Sequence, residues 1–365
     1  MIKMEKLEKA RKKINEVDSK MAELFCLRME AVKEVAEAKR ELGLPVLSEQ
    51  REAEVLHRNK KLIENEEFAS YYVNFLKGTI DLSKRYQHRL LHGVRVAYSG
   101  VPGAFAHIAA KRIFPDGDHV AYEGFAAAYE SVVSGECDCA VLPIENSYAG
   151  DVTQVMDMTF FGSLYINGVY DLDIMQNLLG LKGATVKDIK TVISHPQALA
   201  QSADYINAHG FEKQEAINTA IAAKRVADAG DPTVAAIASE ETAKLYGLEV
   251  LERAVNQSSK NTTRFAVFSR VKNKASNHKH FIMYFTVNNE AGSLSKAISI
   301  LGDHGINLRA LKSRPTKHLS WEYYFYVEGE GDIEGEAGRP VREALTEECS
   351  NLKIVGTYEK EIHLQ

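Results

Sequence analysis

The chain has 365 residues, of which 45% are hydrophobic, so it is long enough for about two or three domains with substantial cores. Its 45 basic and 50 acidic residues are nearly balanced, which excludes a general attraction for nucleic acid or for an anionic membrane surface. Because the sequence lacks both a signal-peptide core and the roughly 18 uncharged apolar residues of a membrane span, we expect a globular cytoplasmic protein.

Residues 1–92 carry a helical pattern with few turn signals. We predict a first helix of about forty residues that ends at Gly43-Leu44-Pro45, then helices from about Glu49 to Asn65 and from Phe68 to Leu91. A helix of forty residues spans roughly 60 Å, which is longer than a domain of this size covers by itself. The first helix is therefore expected to pack against a second copy of the chain.

Two seams on this first helix mix apolar and charged side chains. The first seam has Leu7, Ile14, Met21 and Phe25, with Arg11 and Asp18 beside them, and the second has Arg28, Val32, Val35 and Lys39. Arg28 and Lys39 are eleven residues apart, close to three turns, so they lie on one face. Buried cations without partners are costly, so the pattern predicts an anion such as a small dicarboxylate between them. The alternative is that both cations extend along a coiled coil into solvent.

From Val94 onward the pattern changes to α/β. Apolar strands are predicted at Val94–Tyr98, Cys139–Pro143, Thr191–Ile193 and Val234–Ala238. Each is followed by polar or glycine-rich residues: Ser99 with Gly100-Val101-Pro102-Gly103, then Glu145-Asn146-Ser147, Ser194-His195-Pro196-Gln197, and Ser239. Open α/β sheets bind ligands beyond the carboxyl ends of their strands, so the sequence predicts two lobes with a cleft between them.

Asn261-Thr262-Thr263-Arg264-Phe265 places two hydroxyls and a guanidinium just ahead of an apolar run. An arginine fork fits a carboxylate in two-point contact, and a neighbouring hydroxyl donates to a second oxygen of the same ligand. This stretch therefore predicts a site for an organic acid. The alternative is a strand entrance in which threonine supplies β-propensity and Arg264 lies in solvent.

The C-terminal region begins with a polar, aperiodic linker at residues 271–279. Strands and helices are predicted beyond it in the order Phe281–Val287, helix Ser293–His304, Asn307–Lys312, Tyr323–Val327, helix Val341–Glu348 and Ile354–Tyr358. The order βαββαβ is typical of a ferredoxin-like layer.

The remaining titratable side chains give weaker signals. His107 and His195 lie beside proposed ligand loops, where each is either a general acid or, more commonly, a structural hydrogen-bonding group. Cysteines and histidines with acidic neighbours show no metal-ligand spacing, so we predict no metal and no cofactor, and the four cysteines are expected to be ordinary thiols.

The order of cationic and polar residues in 1–92 resembles the all-helical chorismate mutase family. The resemblance rests on Arg11, Arg28, Lys39, Arg51-Glu52, Ser83 and Gln87. It implies an intertwined dimer in which Arg11 of the partner chain, Arg28 and Arg51 hold the two carboxylates of chorismate. Lys39 and Gln87 would donate to the ether oxygen, and Glu52 and Ser83 would complete the site. Ser48 stands where the family usually has an acidic residue, and it would accept from the ring hydroxyl.

Residues 94–270 resemble prephenate dehydratases. The signatures are the segments Gly100 to His107, Pro143 to Ser147, Ser194 to Gln201, Ala236 to Ser239 and Thr262 to Phe265. The resemblance implies a fold like a periplasmic binding protein and a site of Asn146, Ser194, Gln201, Thr263 and Arg264, with Ser99, Glu145 and Thr219 nearby. Thr263 would donate a hydrogen bond to the leaving hydroxyl of prephenate. Ile221 replaces a common glutamate, and its loop also resembles arogenate dehydratases.

Residues 280–365 resemble the ACT module, which implies an L-phenylalanine effector site where two such modules meet. The implied effector residues are Asn289, Gly292, Ser293, Leu294, Ser313, Arg314 and Pro315. Ala291 and Lys312 depart from the usual proline and glutamate.

Together the three resemblances imply a bifunctional enzyme, a homodimer or homotetramer, that converts chorismate to prephenate and then to phenylpyruvate under phenylalanine control. Two alternatives stay open. One is a mutase fused to an arogenate dehydratase, and the other is a non-catalytic amino-acid sensor, because two-lobed clefts and ACT modules are also binding devices.

Overall fold

The computed structural model describes residues 2–257, 261–273, 279–316 and 323–364. The chain divides into two compact units, Met1–Val94 and Arg95–Gln365. Most of the predicted linker, positions 274–278, lies outside the described residues. Within the described ranges, no helix combines the length and the apolar character needed to cross a membrane.

The first unit folds into three helices over its described residues, as predicted. They are α1 (Ile2–Leu42), α2 (Glu49–Lys60) and α3 (Glu66–His92). Gly43, with φ of 64°, follows α1 in the left-handed region that favours glycine. The second helix ends earlier than predicted because Asn65 caps α3, where its side chain accepts from the backbone N–H of Glu67.

The seam between Arg28 and Lys39 differs from the prediction at one position. Val32 and Ala36 are buried, whereas the side chain of Val35 is 46% exposed. A helical face continues at steps of four as readily as at steps of three, and here Val32 and Ala36 follow Arg28, which contacts Ser83 of α3, at steps of four. Arg28 and Lys39 still share this face.

The second unit begins with a lobe of α/β structure. Its elements in chain order are β1 (Arg95–Ser99), α4 (Phe105–Ile113), β2 (Asp118–Tyr122), α5 (Phe125–Val133), β3 (Cys139–Asn146), β4 (Gly150–Asp151), α6 (Thr153–Phe161) and β5 (Tyr165–Asp173). The core of this lobe forms where Ala140, Leu142 and Phe268 pack under α5 and α6.

A second lobe follows, with its own sheet in the order β10-β6-β9-β7-β8. Its elements are β6 (Asn177–Gly180), β7 (Thr191–Ser194), α7 (Pro196–Gln201), α8 (Ala203–His209), β8 (Glu212–Glu215), α9 (Thr219–Ala229), β9 (Val234–Ala238), α10 (Glu240–Tyr246) and β10 (Glu249–Glu252). The chain then returns to the first lobe as β11 (Thr262–Ser269), which pairs with β3 and β5. The predicted pair of lobes is confirmed.

The C-terminal region has the predicted βαββαβ order and adds one short strand. Its elements are β12 (His280–Thr286), α11 (Ser293–Asp303), β13 (Asn307–Pro315), β14 (Tyr323–Glu330), α12 (Arg339–Glu348), β15 (Ser350–Tyr358) and β16 (Ile362–Leu364). Ser313-Arg314-Pro315 belongs to β13 instead of following it, because these residues continue to pair with β14.

The C-terminal layer and the first lobe share one sheet, so a linker is not their sole connection. The order is β13-β14-β12-β15-β5-β11-β3-β1-β2, with β16 also paired to β5. The two parts meet where Gly356 of β15 pairs with Ile166 of β5. A Cβ on Gly356 would lie 2.5 Å from the carbonyl oxygen of Ile166, so this close approach requires glycine.

Candidate active sites

The first candidate site lies on the face of α1 that packs against α3. The Arg28 guanidinium donates to the Ser83 hydroxyl and, at 3.4 Å, to the carbonyl oxygen of Thr79. Gln87, one turn beyond Ser83, is 7% exposed, and its Oε1 atom has no hydrogen-bond partner among the described residues. A buried amide oxygen without a partner is costly, so this position favours a bound ligand or water.

Lys39 lies further along the same face of α1, and Glu52 lies on α2. The Lys39 ammonium donates to the carbonyl oxygen of Val46 at 2.6 Å, and burial lowers its pKa. Glu52 forms an ion pair with Lys84 at 3.0 Å. Both predicted side chains are therefore partly buried and already hydrogen-bonded.

Arg11, Ser48 and Arg51 are not drawn into the same cluster. Arg11 is exposed, and it precedes Arg28 by roughly 25 Å along the helix axis, so it does not reach the site of its own chain. Arg51 is exposed and pairs with Glu54 at 3.2 Å. Ser48 is the N-cap of α2, where its hydroxyl accepts from the Arg51 backbone N–H at 3.4 Å.

The second candidate site is a cleft of about 760 Å³ lined by both lobes of the second unit. Five of the predicted residues line it: Ser99, Asn146, Gln201, Thr219 and Thr263. Ser99 and Asn146 end strands, Thr263 lies at the start of β11, and Thr219 begins α9 whereas Gln201 ends α7. Four of the five are at least nine-tenths buried: Asn146, Gln201, Thr219 and Thr263.

A chain of hydrogen bonds connects the polar side chains of this cleft. Asn146 Nδ2 donates to Thr263 Oγ1 and to Asn261 Oδ1, both at 2.9 Å. Asn261 Nδ2 in turn donates to Gln201 Oε1 at 2.9 Å. The Thr263 oxygen is an acceptor here, so its proton stays available to a ligand, and Gln201 Nε2 has no partner among the described residues. The hydrogen-bonded series therefore has a free donor at each end, the Thr263 hydroxyl and Gln201 Nε2.

Backbone N–H groups fix Asn146 at the centre of this series of hydrogen bonds. Its Oδ1 atom accepts from the N–H groups of Tyr148 and Ala149 at 3.0 and 2.9 Å. Gln197 Nε2 from the other lobe reaches the same oxygen at 3.4 Å. With its oxygen held by donors, Asn146 has to direct its amide nitrogen toward Thr263.

The structure corrects the predictions for Arg264 and Glu145, which do not line the cleft. Successive residues of a strand point to opposite faces. The cross-strand pair Thr263 and Asn146 faces the cleft, so the next pair, Arg264 and Glu145, faces away. Arg264 contacts Glu145 at 3.1 Å and Glu328 of β14 at 3.0 Å. Burial alone would lower the pKa of Arg264, but Glu328 outweighs it and raises that pKa.

The structure also moves Ser194 out of the cleft. Its side chain is fully buried, and its hydroxyl donates to the carbonyl oxygen of Ile237 at 2.6 Å. Because Ser194 ends β7 beside β9, this contact joins neighbouring strands behind the cleft. Ser194 immediately precedes His195, the N-cap of α7.

The positive ends of three helix dipoles line the cleft. The first turns of α4, α5 and α6 line it, and none has a side-chain cap at its N-cap residue, Ala104, Gly124 or Val152. Helix N-termini bind anions through backbone N–H groups and the helix dipole. Among the described lining residues there is no lysine or arginine, whereas Glu123 and Asp151 are present.

Gln176, Gln197 and Asn261 are among the cleft residues that the sequence predictions missed. Asn261 and Gln197 stand inside the motifs that were singled out, so their amides were a usable signal. Gln176 follows β5 with no motif around it, and its position depends on how the chain crosses between lobes. It is 3% exposed, and its Oε1 has no partner within the described part of the chain.

The two histidines act as acceptors. Nδ1 of His107 accepts from the Gly103 N–H at 3.0 Å, and Nδ1 of His195 accepts from the Gln197 N–H at 3.2 Å. Burial lowers both pKa values, that of His107 to about 4. The four cysteines are free thiols, and over the described ranges no three His, Cys, Asp or Glu side chains are grouped to hold a metal ion.

The predicted effector residues lie at one end of the C-terminal layer. Thr286, at the end of β12 and just ahead of the loop 288–292, pairs with Tyr324, and Tyr324 pairs in turn with Arg314. The loop and the segment 313–315 are therefore close to the same edge. The Arg314 guanidinium forms a two-point contact with Asp157 of α6 at 2.9 and 3.2 Å, so it is not turned toward a ligand.

Comparison with known proteins relates both sites to families. Residues 96–273 match the prephenate dehydratase family, and residues 10–88 match the family described as chorismate mutase type II. A bifunctional chorismate mutase/prephenate dehydratase of Escherichia coli K12 is 32% identical over 368 residues, which cover 96% of this chain and 95% of the relative.

Two further comparisons each cover 73% of this chain. An Arabidopsis thaliana protein, the chloroplastic arogenate dehydratase/prephenate dehydratase 2, is 34% identical and covers 73% of this chain and 72% of its own length. A crystal structure of prephenate dehydratase from Arthrobacter aurescens in complex with L-Phe is 25% identical, with a TM-score of 0.68, and covers 73% of this chain and 90% of that chain.

Proposed function

Because this chain belongs to the family of bifunctional chorismate mutase/prephenate dehydratases, we propose that its two reactions use the two separate sites described above. The first unit converts chorismate to prephenate, and the second converts prephenate to phenylpyruvate. The proposal concerns which side chains act in each unit and how.

The mutase reaction is a pericyclic rearrangement, so no proton has to move. Arg28 and Arg51 hold the carboxylates of chorismate, which requires Arg51 to leave Glu54, while Glu52 and Ser83 complete the shell. Lys39 and Gln87 donate to the ether oxygen as its bond breaks, which requires Lys39 to leave the Val46 carbonyl and Gln87 to present its amide nitrogen. Clamping the reactive conformer and stabilising charge on one oxygen together lower the barrier.

A third arginine of this scheme, Arg11, comes from a partner chain. Every described side chain of α1 from Met4 to Leu27 is exposed, including apolar ones such as Ile14 at 58% and Leu24 at 65%. An apolar face of this length favours a second copy. We propose a dimer in which Arg11 of each chain enters the site of the other, with a tetramer as the alternative assembly.

Mixed dimers test this arrangement. An Arg11→Ala chain and a Lys39→Ala chain are each expected to lack mutase activity, but mixing them regenerates one complete site in each hybrid dimer. Recovery of about a quarter of the wild-type rate after equilibration supports the exchange of Arg11, given that half of the dimers are hybrids with one site. A chain that sediments as a monomer, or a mixture with no recovery, contradicts the proposal.

In the dehydratase reaction the cleft receives prephenate, which loses its ring carboxylate as carbon dioxide and its ring hydroxyl as hydroxide, which takes one proton from solvent to become water. The hydrogen-bond chain from Gln201 to Thr263 carries this proposal, because it leaves one donor free at each end. Thr263 donates to the departing hydroxyl, and Gln201 donates to the pyruvyl group. The uncapped N-termini of α4, α5 and α6 receive the carboxylates.

One assay tests both assignments in a single protein. Chorismate is supplied, and prephenate and phenylpyruvate are followed over time. Wild-type protein is expected to form both, Thr263→Ala to accumulate prephenate, and Lys39→Ala to leave chorismate unchanged while still converting added prephenate. A variant that stops both reactions in a folded protein contradicts the division between the units.

Arogenate is the alternative substrate for the dehydratase site. The Arabidopsis relative is named as both an arogenate and a prephenate dehydratase, and the two substrates differ only in the keto or amino group of the side chain. Comparison of kcat/KM for prephenate and arogenate decides between them, and a value many times higher for arogenate would reject prephenate as the preferred substrate.

We further propose that L-phenylalanine binds the C-terminal layer, near Asn289, Gly292, Ser293, Leu294, Ser313 and Pro315. The Arthrobacter neighbour was solved with L-Phe, and the βαββαβ layer here has the same order as an ACT module. Inhibition requires the ligand to bind a less active state more tightly. Unchanged dehydratase rate and sedimentation across a phenylalanine titration would contradict this.

A further inference from the structure

A lysine of the C-terminal layer contacts the first lobe beside the cleft. Lys312 of β13 donates to Glu145 Oε1 at 3.0 Å and to Asp151 Oδ1. Glu145 of β3 and Asp151 of β4 stand directly opposite each other in the antiparallel pair. Like charges at such positions repel, so Lys312 joins the two sides of this hairpin at its base.

The hairpin carries the centre of the dehydratase site. Asn146 and Gly150 form the neighbouring pair of the same two strands, and the turn between them supplies the N–H groups that hold Asn146 Oδ1. Asp151 borders the cleft and is followed at once by Val152, the N-cap of α6. Movement at the base of the hairpin therefore displaces both Asn146 and the α6 N-terminus.

The two carboxylates depend on Lys312 to different degrees. Glu145 also contacts Arg264 at 3.1 Å, so it keeps a cation if Lys312 is removed. For Asp151, Lys312 is the only cation within ion-pair distance in the described part of the chain. Burial alone would lower the pKa of Lys312, but Asp151 and Glu145 outweigh it and raise that pKa, which keeps the lysine charged.

We propose that Lys312 is a positioning residue for the dehydratase reaction: it neutralises Asp151 at the edge of a cleft that receives a dianion, and it holds the hairpin that presents Asn146 to Thr263. The inference rests on the proposed roles of Asn146 and Thr263. It assigns the C-terminal layer a part in the basal reaction that is independent of any effector.

Kinetic analysis of Lys312 variants with prephenate tests this role. Lys312→Met is expected to raise KM by roughly tenfold, the effect of one uncompensated charge on a dianion in a partly buried site, with a smaller loss in kcat. Lys312→Arg keeps the charge and is expected to stay within about threefold of wild type. The double variant with Asp151→Asn and Lys312→Met no longer has the uncompensated carboxylate. Its KM is expected to return most of the way to the wild-type value.

Lys272 provides a matched control. Its side chain is 23% exposed and pairs with Glu334, which is 31% exposed; the values for Lys312 and Glu145 are 22% and 31%. Each ammonium also lies over a tyrosine ring, at 5.6 and 5.5 Å. Lys272→Met thus removes a similar ion pair away from the hairpin and is expected to leave KM unchanged.

Three outcomes overturn the inference: an unchanged KM in Lys312→Met, no recovery in the double variant, or an equal rise in KM for Lys272→Met. If Lys312→Met does not fold, Lys312→Gln measured with the same double variant decides. Wild-type turnover of prephenate is measured first, because its absence would reject the proposed function and not the role of Lys312.

Discussion

Removal of the Thr263 hydroxyl is the most direct test of the dehydratase site. Thr263 Oγ1 accepts from Asn146 at 2.9 Å, so its proton is free to donate to the leaving hydroxyl. Loss of one positioned donor to a developing charge lowers kcat by about 10²- to 10³-fold, equivalent to roughly 2.7–4 kcal/mol. We expect that loss in Thr263→Ala, with little change in KM.

The structure allows this loss to be assigned to the hydroxyl. In Thr263→Ala, Asn146 Nδ2 keeps Asn261 Oδ1 at 2.9 Å and the Thr262 carbonyl oxygen at 3.3 Å, so the amide is not left unpaired. Thr263→Val preserves the shape of the side chain without the hydroxyl and is expected to match Thr263→Ala. Thr263→Ser retains the donor and is expected to recover most of the activity.

The assay follows phenylpyruvate from prephenate, with the mutase rate on chorismate as an internal control. Since Thr263 lies in the unit Arg95–Gln365 and the mutase helices form the other unit, mutase kcat is expected to be unchanged. The reasoning is refuted if Thr263→Val keeps more than about a tenth of the wild-type dehydratase kcat, because a missing catalytic donor costs more than that.

Three further predictions concern other parts of the chain. Lys39→Ala is expected to lower mutase kcat by about 10²-fold or more and to spare prephenate turnover, since it removes a donor to the ether oxygen; equal losses in both assays would contradict this. Arg264→Met leaves the Glu328 carboxylate, which is 3% exposed, without this cation. The free energy of unfolding measured in urea is therefore expected to fall by about 3 kcal/mol, while KM for prephenate changes little. Burial lowers the pKa of His107 to about 4, below the value near 6.5 of an unfolded chain. The folded state is therefore fully stable with respect to this group above about pH 6.5, and its free energy of unfolding falls by at most about 3 kcal/mol as the pH is lowered toward 4. His107→Asn keeps an acceptor for the Gly103 N–H, and its melting temperature is expected to vary less across that pH range than that of the wild type.

The sequence predicted the elements whose periodicity is local. The helix from Ile2 to Leu42, the strand ends that carry Asn146 and Thr263, and the βαββαβ order all follow from short-range patterns. The sequence did not predict which of two adjacent residues in a strand faces the cleft. Arg264 is adjacent to Thr263, and its direction is set by strand alternation and by Glu328, 64 residues away in the chain.

Long-range pairing explains the remaining differences. The choice of Ala36 over Val35 in the helical seam depends on where α3 packs, which one helix does not specify. The shared sheet of the lobe and the C-terminal layer depends on the pairing of β15 and β16 with β5, including the contact between Gly356 and Ile166, 190 positions apart. A glycine in a strand indicates a close approach but does not name the residue that approaches.

The outward direction of Arg264 has a catalytic consequence. Prephenate must lose one carboxylate as carbon dioxide, and interactions that hold that carboxylate as strongly in the ground state as in the transition state do not accelerate its loss. A guanidinium in two-point contact would stabilise the departing anion with a full charge, whereas each helix N-terminus carries about half a charge and contributes at most about 2 kcal/mol. In the proposed site the dianion is received by the N-termini of α4, α5 and α6, which line the cleft, so we expect the substrate to bind while the barrier to decarboxylation stays low.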